Sequence, residues 1–191
     1  VYLKKSNMLK QLPITTYGME ILRKKTKPIL KIDNKLINLI QNMFYTMDKS
    51  SGIGLAAPQI NLGISLAVID LSEIEEYKKE KPLVLINPEI LESHGEIIKE
   101  EGCLSIPDLH GEVKRADEIL LKYYDLNMNE INVELKGYLS RVVQHETDHL
   151  NGKLFIDYIS AEQKKEIKNK LAQIKKGNVE TDYKLYIHSL K

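Results

Sequence analysis

Between positions 33 and 48 the apolar residues Leu36, Ile37, Ile40, Met43, Phe44 and Met47 recur every three or four residues, the spacing that gathers side chains on one face of a helix. Asp33 or Asn34 can cap its start, because a short polar side chain there accepts from the free amides of the first turn. The pattern predicts a helix over 34–48. It then breaks, and SSGIGLAAPQI, with two glycines, a proline and small side chains, predicts a loop or irregular sheet edge instead of regular helix.

Aliphatic runs at 64–71, 83–87, 119–124 and 131–135 read as strands, and the polar DLNMNE between the last two predicts a hairpin. A helical period returns with Tyr138, Val142, Val143 and Leu150, and Asn151-Gly152 supplies its stop. That helix carries QHETDHL. A third helix, over 161–175, opens on the capping-box pair Ser160 and Gln163, ends before Gly177, and is expected to pack across the sheet. Strands and helices without a regular βαβ alternation predict an α+β fold: mixed, mainly antiparallel sheets around a central helix, with a C-terminal helix.

No repeat, low-complexity block or linker divides the 191 residues, which suffice for one core, so 1–191 is expected to be a single domain. The sequence begins at Val1, and residues 1–8 read as a tag or leader remnant. The 28 basic and 27 acidic residues nearly cancel, which gives no electrostatic footprint for nucleic acid or an anionic membrane. With no apolar run near the ~20 residues of a spanning helix and no signal-peptide core, a soluble, unsecreted protein is expected. A lone cysteine, Cys103, excludes an internal disulfide and fits a reducing compartment.

In HETDH, His145 and His149 are four residues apart, about 40° around a helix axis, so they can share one metal with Glu146 beside it. The alternative is a solvated charged face. A catalytic site of this kind usually has three protein ligands and an open position. Downstream, His188, Glu162 and Glu166 are available as the third; upstream, Cys103 lies in the Gly- and Pro-bounded EGCLSIP, where a thiolate can be presented at a sheet edge. Taken alone, Cys103 reads more readily as a small buried hydrophobe, and Gln59 as a polar residue capping a loop.

Taken in order, GIGLAAPQ, EGCLS and HETDH resemble the three signature motifs of the peptide deformylases. The resemblance implies one divalent metal ion held by Cys103, His145 and His149, Fe(II) in the cell, with Zn, Ni or Co as alternatives. It implies removal of the formyl group from formyl-methionyl nascent polypeptides with release of formate. Metal-activated water is the implied nucleophile, Glu146 the general acid and base, and the Gln59 amide and Leu104 N–H the donors to the oxyanion. Gly54 then approaches the substrate, Gly52 permits a turn, and Ile53 and Val142 are candidates for the methionine pocket. Arg115 and Asp148 also resemble family positions, and one or both are expected to steady the site through an ion pair or hydrogen bonds, the alternative being plain surface charge. His110 stands near a position that is often Arg or aromatic in the family and is given no role, and YGM replaces the common opening turn. Implied too are a monomer, nascent chains at the ribosome as partner, and the cytoplasm of a bacterium or an organelle of bacterial origin. The competing readings are an HExxH metallopeptidase with a downstream third ligand, and a catalytically silent metal-binding homologue.

Overall fold

A computed structural model describes residues 9–186, so the readings of residues 1–8 and of His188 lie outside the described residues. In chain order the elements are α1 (Asn34–Lys49), β1 (Gly54–Ala56), β2 (Leu66–Ile69), β3 (Leu83–His94), β4 (Ile97–Cys103), β5 (Ile106–Arg115), β6 (Glu118–Tyr124), β7 (Glu130–Lys136), α2 (Gly137–Leu150) and α3 (Ala161–Lys175). Short 3-10 turns link several of them. One antiparallel sheet has the order β1-β2-β3-β6-β7; β4 and β5 form a second, two-stranded sheet. This is the mixed α+β architecture that the sequence predicts.

The β1–β2 end of the five-stranded sheet, with the start of β3, is buried between two helices because alternate side chains there are apolar on both faces. Leu66, Val68 and Ile86 join Leu36, Ile40, Met43 and Met47 of α1 in one cluster. Ala67, Ile69 and Leu85 join Val142, Val143 and Leu150 of α2 in another. Asp33 is the cap of α1, its carboxylate accepting from the Leu36 N–H at 2.9 Å.

Helix α2 is wedged between that sheet and the β4–β5 hairpin, and Ser140, Arg141, Gln144, Glu146 and His149 are buried along with its apolar face. It begins where the Tyr77 hydroxyl accepts from the Tyr138 N–H at 3.1 Å. It stops at Gly152, whose φ of 73° suits glycine and whose missing Cβ leaves room for the Arg23 backbone, 2.7 Å from where that atom would lie. Both stop residues therefore act as expected.

Two expectations need correction. Residues 97–115 form two paired strands, where only a short edge segment was expected around Cys103. Helix α3, capped by Ser160 and Gln163, packs on β5 of the hairpin through Ile167, Leu171 and Ile174, and does not cross the five-stranded sheet. Its other residues are nearly all exposed, since three apolar positions cover only a narrow stripe.

Candidate metal centre

Two elements deliver the three candidate donors. Helix α2 places His145 and His149 one turn apart with ring centroids 4.9 Å from each other, and Cys103, the last residue of β4, brings its Sγ within 3.2 Å of His149 Nε2. The Cys103, His145 and His149 donor atoms all lie within 4.8 Å of one another, and this is the single such cluster among the described residues. Donors bound to one Zn-like ion at ~2.0–2.3 Å stand roughly 3–4 Å apart, so the trio is close to ligating geometry. Glu162 and Glu166 are exposed on α3 and take no part in the cluster.

Electrostatics favours a cation at the point of convergence. Burial disfavours a charged His145, yet the Cys103 sulfur and the Glu101 carboxylate outweigh it and raise the imidazole to about 10. Burial, with the charge of His145 next, holds His149 well below its ordinary value, so it is a neutral donor. A site that concentrates positive charge on one imidazole is served equally by a metal ion, which leaves both rings neutral as ligation requires. The residues present fit a divalent metal.

Glu101 is the hub behind the donors, and reading the sequence missed it. Its Oε2 lies 3.0 Å from His145 Nδ1; Arg115 Nε donates to its Oε1 at 2.7 Å and Arg141 to the same oxygen at 2.6 Å. Burial works against its charge, but His145 and Arg115 prevail and hold the carboxyl down at about 2. Arg115 also donates to Asp148 at 2.6 Å, and Tyr158 donates to the other Asp148 oxygen at 2.9 Å. The side chains of Arg115 and Glu101 are 5% and 6% exposed, so their pairing is not screened by solvent. Glu101→Gln is expected to weaken metal affinity about 10- to 100-fold and to cost about 3–5 kcal/mol of stability, because buried Arg141 loses its carboxylate and buried Arg115 one of its two. Chelator competition and denaturant unfolding measure the two effects; unchanged metal affinity would mean that His145 is oriented without Glu101.

Gln59, Leu104, Ile53, Gly54, Val142, Cys103, His145 and Glu146 all border one cleft of about 790 Å³, with His149 buried behind it. Gln59 caps its loop, its Oε1 accepting from the Ala56 N–H at 2.8 Å, which turns its amide NH2 toward Cys103 Sγ at 3.5 Å. Leu104 and Ser105 form the turn that joins β4 to β5. Gly54 meets a steric demand of the fold itself, since a Cβ there would overlap the Glu146 carboxylate and lie 2.8 Å from its Cδ. Gly52 likewise faces the Leu104 side chain. His110 borders the cleft and stacks on Gly102.

Glu146 itself is 3% exposed, and its Oε2 has no hydrogen-bond partner among the described residues. Burial pushes its carboxyl up to about 7 against the charges of His145 and Arg115. An unpartnered buried carboxylate oxygen is costly unless something that enters the cleft satisfies it.

A three-donor metal centre with a buried carboxylate beside it, on a helix that crosses an α+β fold, is the working part of a metal-dependent hydrolase. Residues 11–165 match the family model described as polypeptide deformylase. A peptide deformylase of Chlorobium phaeovibrioides is 47% identical over 174 residues, covering 91% of this chain and 92% of the relative. The crystal structure of a peptide deformylase from Legionella pneumophila superimposes with a TM-score of 0.79 at 39% identity, covering 87% of this chain and 96% of that one. A Met-Ala-Ser-bound peptide deformylase from Acinetobacter baumannii gives 0.75 at 35% identity, covering 80% and 100%. The chain belongs to the polypeptide deformylase family and is a hydrolase of that class with one metal site.

Proposed function

We propose that the chain hydrolyses the formyl amide of formyl-methionyl nascent polypeptides, releasing formate and a free amino terminus. The observation that carries this reading is the buried, unpartnered Glu146 carboxylate beside the Cys103–His145–His149 cluster. When bound, the metal supplies Lewis acidity toward water and a carbonyl oxygen. Glu146 takes a proton from the attacking water and delivers it to the methionine nitrogen as the C–N bond breaks, and a carboxyl near neutrality is suited to both transfers. The Gln59 amide, oriented by Ala56, and the Leu104 N–H are the donors assigned to the oxyanion. Ile53, Gly54 and Val142, which line the cleft, are assigned to the methionine side chain and the adjoining backbone. The peptide bound in the Acinetobacter baumannii relative begins with methionine, which supports that substrate class.

For the metal we propose Fe(II); a nitrogen and thiolate donor set accepts Zn(II), Ni(II) and Co(II) as well. Loss of activity in air, restored by anaerobic Fe(II), is expected of the iron form. We assign the enzyme to a monomeric single domain that meets nascent chains at the ribosome in a bacterial cytoplasm. The bacterial relatives support the bacterial part of this assignment.

The test is formate release from formyl-Met-Ala-Ser by anaerobically loaded protein, beside unformylated Met-Ala-Ser. Formate from the first and no cleavage of the second is the expected result. Cleavage of unformylated peptide would favour the metallopeptidase reading; metal binding without turnover of either would favour a silent homologue.

A further inference from the structure

Two segments far from the three motifs converge on the turn that carries Leu104. From the N-terminal side, the Thr15 N–H donates to the Gln59 carbonyl and the Tyr17 N–H to the Ser105 carbonyl, both at 2.8 Å. This one extended stretch thus spans from the Gln59 loop to the Leu104–Ser105 turn. Ile14 at its start pairs in parallel with Leu185, through the Ile14 N–H on the Lys184 carbonyl and the Tyr186 N–H on the Ile14 carbonyl, each at 2.8 Å. Just before that bridge the chain bends at 182–183, where the Thr181 hydroxyl donates to the Tyr183 carbonyl at 2.6 Å. With that register set, the Tyr183 side chain reaches the turn, and its hydroxyl donates to the Leu104 carbonyl at 2.7 Å. Thr181 and Tyr183 border the same cleft.

We propose that Tyr183 is a positioning residue for the reaction, holding the Leu104 backbone so that its N–H stays aimed at the developing oxyanion. The inference rests on the deformylase reading and on the role given there to Leu104. Its physical basis is that the Leu104 N–H lies only that residue's φ and ψ away from its carbonyl, in a turn whose ends are closed by the pairing of Cys103 with Ile106, so anchoring the carbonyl plane narrows the torsions that aim the N–H. Tyr17 holds the Ser105 carbonyl of this turn and Tyr183 the Leu104 carbonyl, and small losses of aim cost rate more than binding because the oxyanion exists only on the way to the transition state. Tyr183 lies outside the residues 11–165 that match the family model.

The experiment is Tyr183→Phe in the metal-loaded full chain, which keeps the ring and removes only the hydroxyl. kcat for formyl-Met-Ala-Ser is expected to fall about three- to tenfold, the scale of one neutral hydrogen bond. KM should stay within about twofold, and metal content and the affinity for the product Met-Ala-Ser should not change, because the product has no formyl oxygen. Wild-type protein and Glu146→Gln are run beside it. An unchanged kcat in a preparation whose wild type is active overturns the inference alone, as does a loss confined to KM and product affinity, which would make Tyr183 part of the cleft wall only. A wild type that is metal-loaded and releases no formate overturns the deformylase reading and this inference with it.

Discussion

Glu146→Gln is expected to keep its metal and lose formate release by about a hundred- to ten-thousand-fold, the range set by removing a positioned general acid and base. The substitution is nearly isosteric, so the side chain still fills the space that Gly54 leaves open, and the fold around it should hold. Glu146 is not among the three converging donors, so metal content should match wild type. What disappears is the single group in the cleft that combines burial, an unpartnered oxygen and a carboxyl raised to about 7. The amide can hydrogen-bond to water but cannot take its proton and later give it to the leaving nitrogen. The loss should fall on kcat with KM little changed, since the proton moves only as the barrier is crossed. Metal analysis and steady-state kinetics on the same preparation decide it. A fully loaded variant with near wild-type kcat would move the proton transfer to another group and leave Glu146 a packing residue.

How much of this was readable in advance varied with how local each signal is. The three helices were legible because period, cap and stop lie within a few residues of one another: Asp33 with Leu36, Ser160 with Gln163, Leu150 with Gly152. The β4–β5 pair was not, although β5 alternates inward and outward along its length. Its inward positions include Gly111, where a Cβ would press on Ile159, and Arg115, which answers the inward Glu101 of β4. A search for alternating apolar residues passes over a strand whose inner face is partly charged. Glu101 stood in the EGCLS motif in plain view, but its function depends on Arg115, Arg141 and His145, which lie 14, 40 and 44 residues away. Tyr183 needed the parallel register between Ile14 and Leu185, and nothing in the local sequence announces it. The chemistry was legible where types and spacing were enough, and hidden where long-range partners set the role.

Cys103→Ala separates the remaining accounts of the metal most sharply, because only one of them takes a ligand from upstream of the helix. The substitution leaves two imidazoles, fewer than a mononuclear catalytic site ordinarily uses. Even changes among the groups that merely orient metal ligands cost about 10- to 100-fold in affinity, so removing a thiolate from the donor set should cost more than about a hundredfold. The fold itself should be little affected: Cys103 is half-buried at the end of β4, and Ala retains its Cβ against the cluster formed by Ile106, Val113 and Phe155. Losing the sulfur is worth about 1 kcal/mol of burial at most. Thermal unfolding gives a readout independent of turnover, since an ion that binds only the folded chain raises stability with its concentration, by about 2.7 kcal/mol at a hundred times its Kd. Wild-type Tm should therefore climb as Zn(II) or Ni(II) is titrated, while the Tm of Cys103→Ala stays flat over the same range and its formate release disappears. If the variant instead binds metal as tightly as wild type, the third donor comes from elsewhere, and the metallopeptidase pattern with a downstream ligand regains its claim. The 3.2 Å approach of Cys103 Sγ to His149 Nε2 favours the first outcome, since a half-buried thiol set against a neutral imidazole in this way already occupies the ligand's place.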